Sequence, residues 1–501
     1  MFKKIQNKLL ISHPLLWNTK IVPLTIVLLI IHCIFWGIGL AAGEINFSDI
    51  SIKGYGYDSD GPVIFFSILI SVLGLLLWLI FYFKNNSFKV FYPKTKYALF
   101  QEWLIILWGS FLLSSFSFSF YLGKDIRQRS YFSESEARKR CNIISKASLF
   151  YDGSFNQNQY TTRDSAGVTV DVKINHITYK GKDYSLNSLM NKNIVGFSFL
   201  DQKGDSIQRN TVCDWLANNQ KDSVKTILKS YLAIAKEHHL KSSINENEWL
   251  SLVYDYPNYE NFKTVAKSEK EYYNSSNYAN ENPQTPATKI DSTYQYIQTV
   301  DGEQYLFNKY YVPADSLESS YETVANSWNN PKIDFEFLAI LLYISISLSI
   351  LIFSFRVTSG RNWLISLVGI GVLNIALGIL SALASTADLY LIAITSIPIA
   401  LAVYFIYIIK RKTEKSISGI TINAMLWSTP AFLPLVYANV VKVLKDNYGY
   451  YSDNYHLHRS PLLEYLDNNM LQLSYINLAF IFIMMLLYSI KIKVWRGIAE
   501  S

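Results

Sequence analysis

The stretch IVPLTIVLLIIHCIFWGIGLAA, residues Ile21–Ala42, decides the fold class because it contains no Lys, Arg, Asp or Glu. A helix rises 1.5 Å per residue, so about 20 apolar residues cross the ~30 Å hydrocarbon core of a bilayer. The sequence therefore predicts a membrane α-helical bundle of about eight transmembrane helices with an inserted α+β extracytoplasmic domain. The later blocks, of similar length and almost without charge, are residues 63–83, 100–123, 335–355, 363–384, 389–409, 420–441 and 471–490.

Charge in the connections orients these spans. Cytoplasmic loops of membrane proteins carry an excess of Lys and Arg. Alternate connections follow this pattern, which predicts that both termini are cytoplasmic and accounts for the net charge of +7 without a nucleic-acid partner. Abundant Lys, Asn, Ile, Tyr and Phe, whose codons are AT-rich, indicate a bacterial inner (cytoplasmic) membrane. The basic connections are 84–97, 356–361, 410–415 and 491–496, and the opposite ones hold Glu44, Asp49, Asp58, Asp60 and Asp388.

Four regions follow from this topology. Residues 1–20 are expected to form an amphipathic interfacial helix, and residues 21–123 three transmembrane helices. Residues 124–334 are expected to form the extracytoplasmic α+β domain, and residues 335–501 five transmembrane helices with a cytoplasmic C-terminal tail.

The predicted extracytoplasmic domain contains three local signals. Ser133 and Glu136 have capping-box spacing at the start of a helix. Asp301–Gly302 separates two strand-like runs and predicts a β-hairpin. Cys141 and Cys213 both lie in this domain, where an oxidising compartment would allow a disulfide between them.

Prolines mark one predicted element as a hinge or a substrate pathway. Pro430 and Pro434 interrupt the seventh span, Asn423 lies near its start, and Pro398 interrupts the sixth span. Proline in a helix interior removes a backbone donor and bends the helix. A static structural kink is the alternative interpretation, and the sequence leaves both open.

Small residues follow one face of the fifth span. Gly371, Asn374, Gly378 and Ala382 recur at helical spacing and predict a helix-packing seam within the bundle. A pore-lining strip is the alternative interpretation.

Several functional classes lack their motifs. We find no phosphate-binding loop ending in Lys-Ser or Lys-Thr, and no catalytic, cofactor-binding or metal-binding constellation. The chain is therefore expected to be no enzyme, to hold no cofactor and to depend on a separate ATPase for energy. The spans show no charged residue near their centres, which disfavours an ion-driven carrier. The basic segment with Lys84, Lys89, Lys94 and Lys96 is the predicted docking site for that ATPase.

Two stretches resemble known sequences. HPLLWNTKIVPL (residues 13–24) and WLIFYFKNNSFKVFYPKTKYALFQEW (residues 78–103) resemble uncharacterised polytopic bacterial membrane proteins associated with ABC-type transport systems. The resemblance covers the first three spans only, and a large domain after the third of eight spans departs from the usual six-span exporter layout.

Three hypotheses follow for the function. The first is a permease or auxiliary subunit of a multi-component ABC-type exporter, with the lipid bilayer, other membrane subunits and a cytoplasmic ATPase as partners. The second is an extracytoplasmic sensor or envelope assembly scaffold without transport activity. The third is a membrane enzyme acting on lipid or glycan, which would need convergent acids or histidines at the membrane face.

Overall fold

The computed structural model of this chain is mostly helical. The predicted interfacial helix is described only in part, and Lys89 and Lys94 fall outside the described residues. The structure describes residues 10–12, 14–48, 60–86, 96–151, 160–163, 169–172, 177–184, 197–200, 202–257, 265–272, 295–300, 303–383, 387–411, 415–448, 450–451, 457–458 and 461–496.

The helices are numbered here in chain order. They are α1 (Pro14–Thr19), α2 (Ile21–Ala42), α3 (Gly61–Asn86), α4 (Ala98–Ser114), α5 (Phe116–Arg129), α6 (Glu134–Ala147), α7 (Gln202–Ala217), α8 (Lys221–Glu237), α9 (Glu246–Val253), α10 (Ala314–Asn329), α11 (Phe335–Val357), α12 (Gly360–Leu383), α13 (Ala387–Arg411), α14 (Lys415–Tyr448), α15 (Pro461–Asn468) and α16 (Met470–Arg496).

The strands are short and pair only with antiparallel neighbours. They form two-stranded sheets β1–β2, β3–β4 and β8–β9, and one three-stranded sheet in the order β5-β7-β6. Their bounds are β1 (Tyr160–Arg163), β2 (Thr169–Val172), β3 (Ile177–Tyr179), β4 (Lys182–Tyr184), β5 (Lys270–Tyr272), β6 (Gln295–Val300), β7 (Glu303–Asn308), β8 (Tyr450–Tyr451) and β9 (Leu457–His458).

The chain divides into two compact units. The first, called the helical unit below, comprises residues 1–38, 58–122 and 333–501. The second, called the mixed unit, comprises residues 39–57 and 123–332.

Long apolar helices identify the chain as a multi-pass helical membrane protein. Among the described residues, six helices are long and apolar enough to cross a membrane. The pair α4 and α5, bent by 54°, makes a seventh if it counts as one span. Within α13, residues Tyr390–Tyr404 form a shorter apolar helix. Large apolar side chains on these helices face outward, as Phe65, Ile80 and Ile375 do, because lipid is their solvent.

The core of the helical unit forms around α4 and α11. Trp103 and Ile106 of α4 and Ile346 and Phe353 of α11 are fully buried. These two helices pack together although residues 123–332, the longest segment of the mixed unit, lie between them in the sequence.

The mixed unit packs α6, α8 and α10 around aromatic side chains. Trp249 of α9 is fully buried, and its indole N–H donates to the Phe150 carbonyl at 2.9 Å. At the start of α6 the Ser133 hydroxyl accepts from the Glu136 backbone N–H, which is one half of the predicted capping box, while the Glu136 carboxylate accepts from Arg140. The predicted hairpin is also confirmed, since Val300 pairs with Glu303 across a two-residue connection.

The connection after α2 forms part of the mixed unit, whereas the sequence predicted a simple polar loop. Phe47 stacks on the His238 ring with centroids 4.2 Å apart. The Ile45 N–H donates to the Tyr131 hydroxyl at 3.0 Å. An aromatic side chain in a short loop is a weak sequence signal, because only the fold supplies the rings around it.

Both cysteines of the mixed unit are buried, and neither is disulfide-bonded, so the structure does not contain the predicted disulfide. Burial raises the pKa of Cys141 to about 12 and that of Cys213 to about 11. Thiolates are the reactive form of cysteine, and these groups stay protonated at neutral pH.

We expect Cys141 and Cys213 to resist N-ethylmaleimide at pH 7.5 in the folded protein and to react fully once it is denatured without reductant. Mass spectrometry of the peptides measures both states. A Ser251→Cys variant, exposed on α9, is the reactive control. Unreactive thiols in the denatured protein would instead reveal the disulfide.

Candidate functional site

A buried ion pair joins the two core helices of the helical unit. Arg356, in the last turn of α11, approaches Glu102 of α4 with Nε 2.9 Å from Oε1. Their side chains are 1% and 0% exposed, so water does not screen the attraction. The Tyr82 hydroxyl of α3 lies 3.5 Å from the same Glu102 oxygen.

Among the described residues, no donor forms a hydrogen bond with the second oxygen of Glu102. A buried carboxylate oxygen without a donor is unfavourable, since it has lost water without replacement. Desolvating both ions costs several kcal/mol each, and an apolar pair of similar volume is often as stable. Stability alone therefore does not explain this ion pair. The second oxygen of Glu102 can still accept a hydrogen bond from a further donor.

A polar stripe continues from Arg356 along the α11 face that packs on α4. The Trp103 indole N–H donates to the Ser349 hydroxyl at 3.0 Å. One turn further, the Ser345 hydroxyl lies 2.8 Å from that of Ser114. The stripe therefore aligns α4 and α11 through directional bonds along an otherwise apolar contact.

A second polar cluster lies where α11, α12 and α14 meet. The Thr358 hydroxyl is 3.0 Å from Asn423 Oδ1, and Asn423 donates from Nδ2 to the Ser366 hydroxyl at 3.2 Å. A Cβ on Gly419 would lie 2.5 Å from Asn362 Nδ2, so a larger residue there would force the Asn362 side chain to move. Asn423, predicted as part of a hinge or pathway, is fully buried in this cluster.

The predicted hinge prolines lie in a continuous helix. Pro430 and Pro434 are both inside α14. Pro434 has no N–H for the Pro430 carbonyl four residues earlier. Asn477 of α16 supplies the missing donor, with Nδ2 2.8 Å from that carbonyl, and also bonds the Tyr343 hydroxyl at 2.7 Å.

Two further unsatisfied carbonyls of the helical unit receive side-chain donors. Pro23, near the start of α2, has no N–H for Thr19, and the Trp78 indole donates to that carbonyl at 2.8 Å. In the last turn of α4 the Leu112 carbonyl is 3.0 Å from Nε2 of His32.

His32 also reaches across the break between α4 and α5. Its Nδ1 is 2.7 Å from the Ser119 hydroxyl of α5. Because a carbonyl only accepts, Nε2 carries the hydrogen, and Nδ1 of the neutral ring accepts from Ser119. One imidazole therefore bonds both halves of the bent pair.

The structure places the other predicted pathway residue beside α14. Pro398 is buried inside α13, which packs along α14. Asn439 of α14 donates to the Thr395 hydroxyl at 2.7 Å, three residues before Pro398. The two helices that contain these prolines therefore pack together and are joined by a hydrogen bond.

Three of the four residues of the predicted packing seam on α12 face open space. A Cβ added to Gly371 or Gly378 would meet nothing within 4 Å, and Ala382 is exposed. Only Asn374 makes an interhelical bond, accepting from the Tyr390 hydroxyl at 3.2 Å. The spacing identified one face correctly, but spacing carries no information on what lies opposite that face.

Of the predicted docking lysines, the structure describes Lys84 and Lys96, and both are exposed. Their positions relative to the ion pair are informative. Tyr82 precedes Lys84 by two residues, and Glu102 follows Lys96 by six. Both ends of the basic segment therefore lead directly into the buried cluster around Arg356.

Sequence reasoning missed the ion pair itself. Arg356 was assigned to a basic loop, and Glu102 lies only a few residues inside its predicted span. A usable signal did exist, since Ser345, Ser349 and Arg356 share one face of a helix by their spacing. That face predicts a polar contact but does not name its partner.

Compared with known proteins, the chain matches no protein-family model, no curated protein and no solved structure. Its resemblance to membrane proteins associated with ABC-type transport therefore stays a prediction. Among the described residues no group of three or more His, Cys, Asp or Glu side chains could hold a metal ion.

Removing one member of the ion pair should destabilise the protein more than removing both. We expect Glu102→Leu or Arg356→Met alone to cost about 3–5 kcal/mol, because each leaves an uncompensated buried charge. The double variant should recover a large part of that loss. Thermal unfolding midpoints in detergent compare the variants, with the exposed Lys491→Met as control. Additive losses would contradict the pairing.

Asn477 should matter only while Pro434 is present. Asn477→Leu should cost about 1–2 kcal/mol in the natural sequence, because the Pro430 carbonyl loses its donor. In a Pro434→Ala background the helix N–H returns, and the same substitution should lower the unfolding midpoint less. His32→Leu, which acts at another helix, should cost the same in both backgrounds. An equal effect of Asn477→Leu in both would exclude the compensation.

Proposed function

We propose that this protein is a permease or auxiliary subunit of a multi-component ABC-type exporter, energised by a separate ATPase. In this proposal the chain has no enzymatic activity of its own and takes no cofactor. Its partners are the lipid bilayer, other membrane subunits and the cytoplasmic ATPase, and no nucleic acid.

One observation carries the proposal. The basic segment between α3 and α4 begins two residues after Tyr82 and ends six residues before Glu102. Glu102 pairs with buried Arg356, and the Tyr82 hydroxyl lies 3.5 Å from the same Glu102 oxygen. A partner that grips this segment would act on the ion pair through one helical turn on each side. The Glu102–Arg356 ion pair joins α4 to α11, so breaking it would loosen the contact between these helices. The two helices come from separate sequence segments of the helical unit.

The energetics of the Glu102–Arg356 ion pair favour a contact that can exchange partners over a permanent one. A buried ion pair and its apolar replacement have similar stability, but only the ion pair can be exchanged for other polar partners. The unpaired oxygen of Glu102 offers a place for such a partner. An energy source outside the chain fits this arrangement, because the sequence contains no phosphate-binding loop.

We propose a bacterial inner-membrane location with eight spans and both termini cytoplasmic. The bent pair α4–α5 is then one span, and α13 with its apolar stretch Tyr390–Tyr404 is another. Exposed Lys84 and Lys96 then lie on the cytoplasmic side, which agrees with the positive-inside rule. Residues 124–334 are extracytoplasmic in this topology.

The alternative is an extracytoplasmic sensor or envelope assembly scaffold without transport activity. Strand β6 favours it, since among the described strands it lies at the edge of its sheet and pairs with β7 alone. Tyr296 and Ile297 are 54% and 41% exposed, and β6 carries no charge or proline. Unprotected edge strands are templates for an extended segment of another protein.

Reversing the charge of the basic segment should release the ATPase. We expect the tagged protein, purified from its native membrane in mild detergent, to bring an ATPase in stoichiometric amount. Lys89→Glu with Lys94→Glu should reduce the recovered ATPase at least tenfold, because opposite charge replaces the docking contact. Quantitative mass spectrometry of the purified complex measures the ratio.

A matched control reverses two lysines elsewhere. Lys221→Glu with Lys229→Glu changes two exposed residues of α8 and should leave the ATPase ratio unchanged. Envelope proteins without any ATPase in the natural complex would overturn the exporter proposal and favour the scaffold. Equal recovery from both double variants would remove the assigned docking site.

A further inference from the structure

An open apolar groove lies between the start of α2 and the middle of α4 in the helical unit. Its volume is about 440 Å³. The wall residues come from helices of the candidate spans and from the short helix before them. They are Leu16, Ile21, Val22, Thr25, Ile26, Leu104, Ile105 and Trp108.

The groove faces the lipid and offers it almost no polar atom. Ile26 is 51% and Trp108 49% exposed on its rim. The main polar groups of the wall bond each other, since the Trp108 indole N–H donates to the Thr25 hydroxyl at 3.3 Å. A hydrocarbon chain can therefore fill the groove without leaving a donor or acceptor unpaired.

A lysine adjoins the wall residues of the groove in the chain. Lys20 lies in the turn between α1 and α2, between the wall residues Leu16 and Ile21. Its backbone has a φ of 53°, a strained conformation for a lysine, so the turn fixes where the side chain starts. Its ammonium lies 3.7 Å from the centroid of the Trp17 ring.

No described carboxylate forms an ion pair with Lys20. The turn that joins the wall residues Leu16 and Ile21 therefore carries a positive charge. A ligand with an apolar chain and an anionic head matches both the wall and the lysine. Basic residues beside spaces between transmembrane helices attract anionic lipid head groups in the same way.

We propose that this groove binds one acyl chain of an anionic phospholipid, whose phosphate pairs with Lys20. The site goes beyond the proposed exporter function and does not depend on it. A phospholipid is the occupant because the groove opens toward the bilayer and lacks the polar rim that a protein partner uses. The lipid would fill the contact between α2 and α4 next to the Thr19–Trp78 bond.

Brominated lipids test the proposal through tryptophan quenching. The full chain is placed in nanodiscs with dibrominated phosphatidylglycerol or dibrominated phosphatidylcholine mixed into an unbrominated background. The Trp108 contribution is the difference between the natural protein and Trp108→Phe. We expect half-maximal quenching of Trp108 at a fraction of brominated phosphatidylglycerol about fivefold lower than that of brominated phosphatidylcholine. One lysine near the membrane surface supports a preference of this size.

Substitutions at the lysine decide the result. Lys20→Gln should make the two lipids equal, whereas Lys20→Arg should keep the preference because the charge remains. Lys96→Gln changes an exposed lysine that lies eight residues before the nearest wall residue of α4, Leu104, and should keep the preference as well. Equal quenching by both lipids in the natural protein, or a preference that survives Lys20→Gln, would overturn the assignment. The assay contains no ATPase, so its outcome is independent of the exporter proposal.

Discussion

The helical unit depends on one constraint, which is that a bilayer core offers no water to an unpaired backbone carbonyl. Prolines remove backbone donors from its helices, and a break separates α4 from α5. The three carbonyls discussed above receive a side-chain donor from another helix. Trp78 bonds Thr19, Asn477 bonds Pro430, and His32 bonds across the bent pair. These bonds fix which helices are neighbours, because a donor must stand at the height of the carbonyl that needs it.

The same constraint gives the ion pair its meaning. Glu102 and Arg356 are too well buried for water to replace either partner, so the contact is either made or exchanged for another protein group. Polar groups in such an interior form specific, directional contacts with particular partners. The proposed exporter would exchange the Glu102–Arg356 contact for one with another protein group. The proposed lipid site differs, because its groove has no unpaired polar group and suits a hydrocarbon chain.

Parts of the candidate site were accessible from the sequence. The helix-breaking residues Pro430 and Pro434 were recognised because proline acts on its own backbone, whatever surrounds it. Asn423 was recognised as part of the same possible hinge or pathway. Its role was not, because its partners lie on two other helices, and the glycines at 371 and 378 face open space although their spacing is that of a packing seam.

The sequence by itself determined the apolar spans and the β6–β7 hairpin. Span length and hydropathy are properties of about 20 consecutive residues, and a two-residue turn joins neighbours in the chain. The tertiary structure alone decided the pairing of Glu102 with Arg356, which are 254 residues apart. It also decided the entry of Phe47 into the mixed unit and the donor for each released carbonyl. Such contacts depend on how helices pack, and no local pattern of residues specifies the partner.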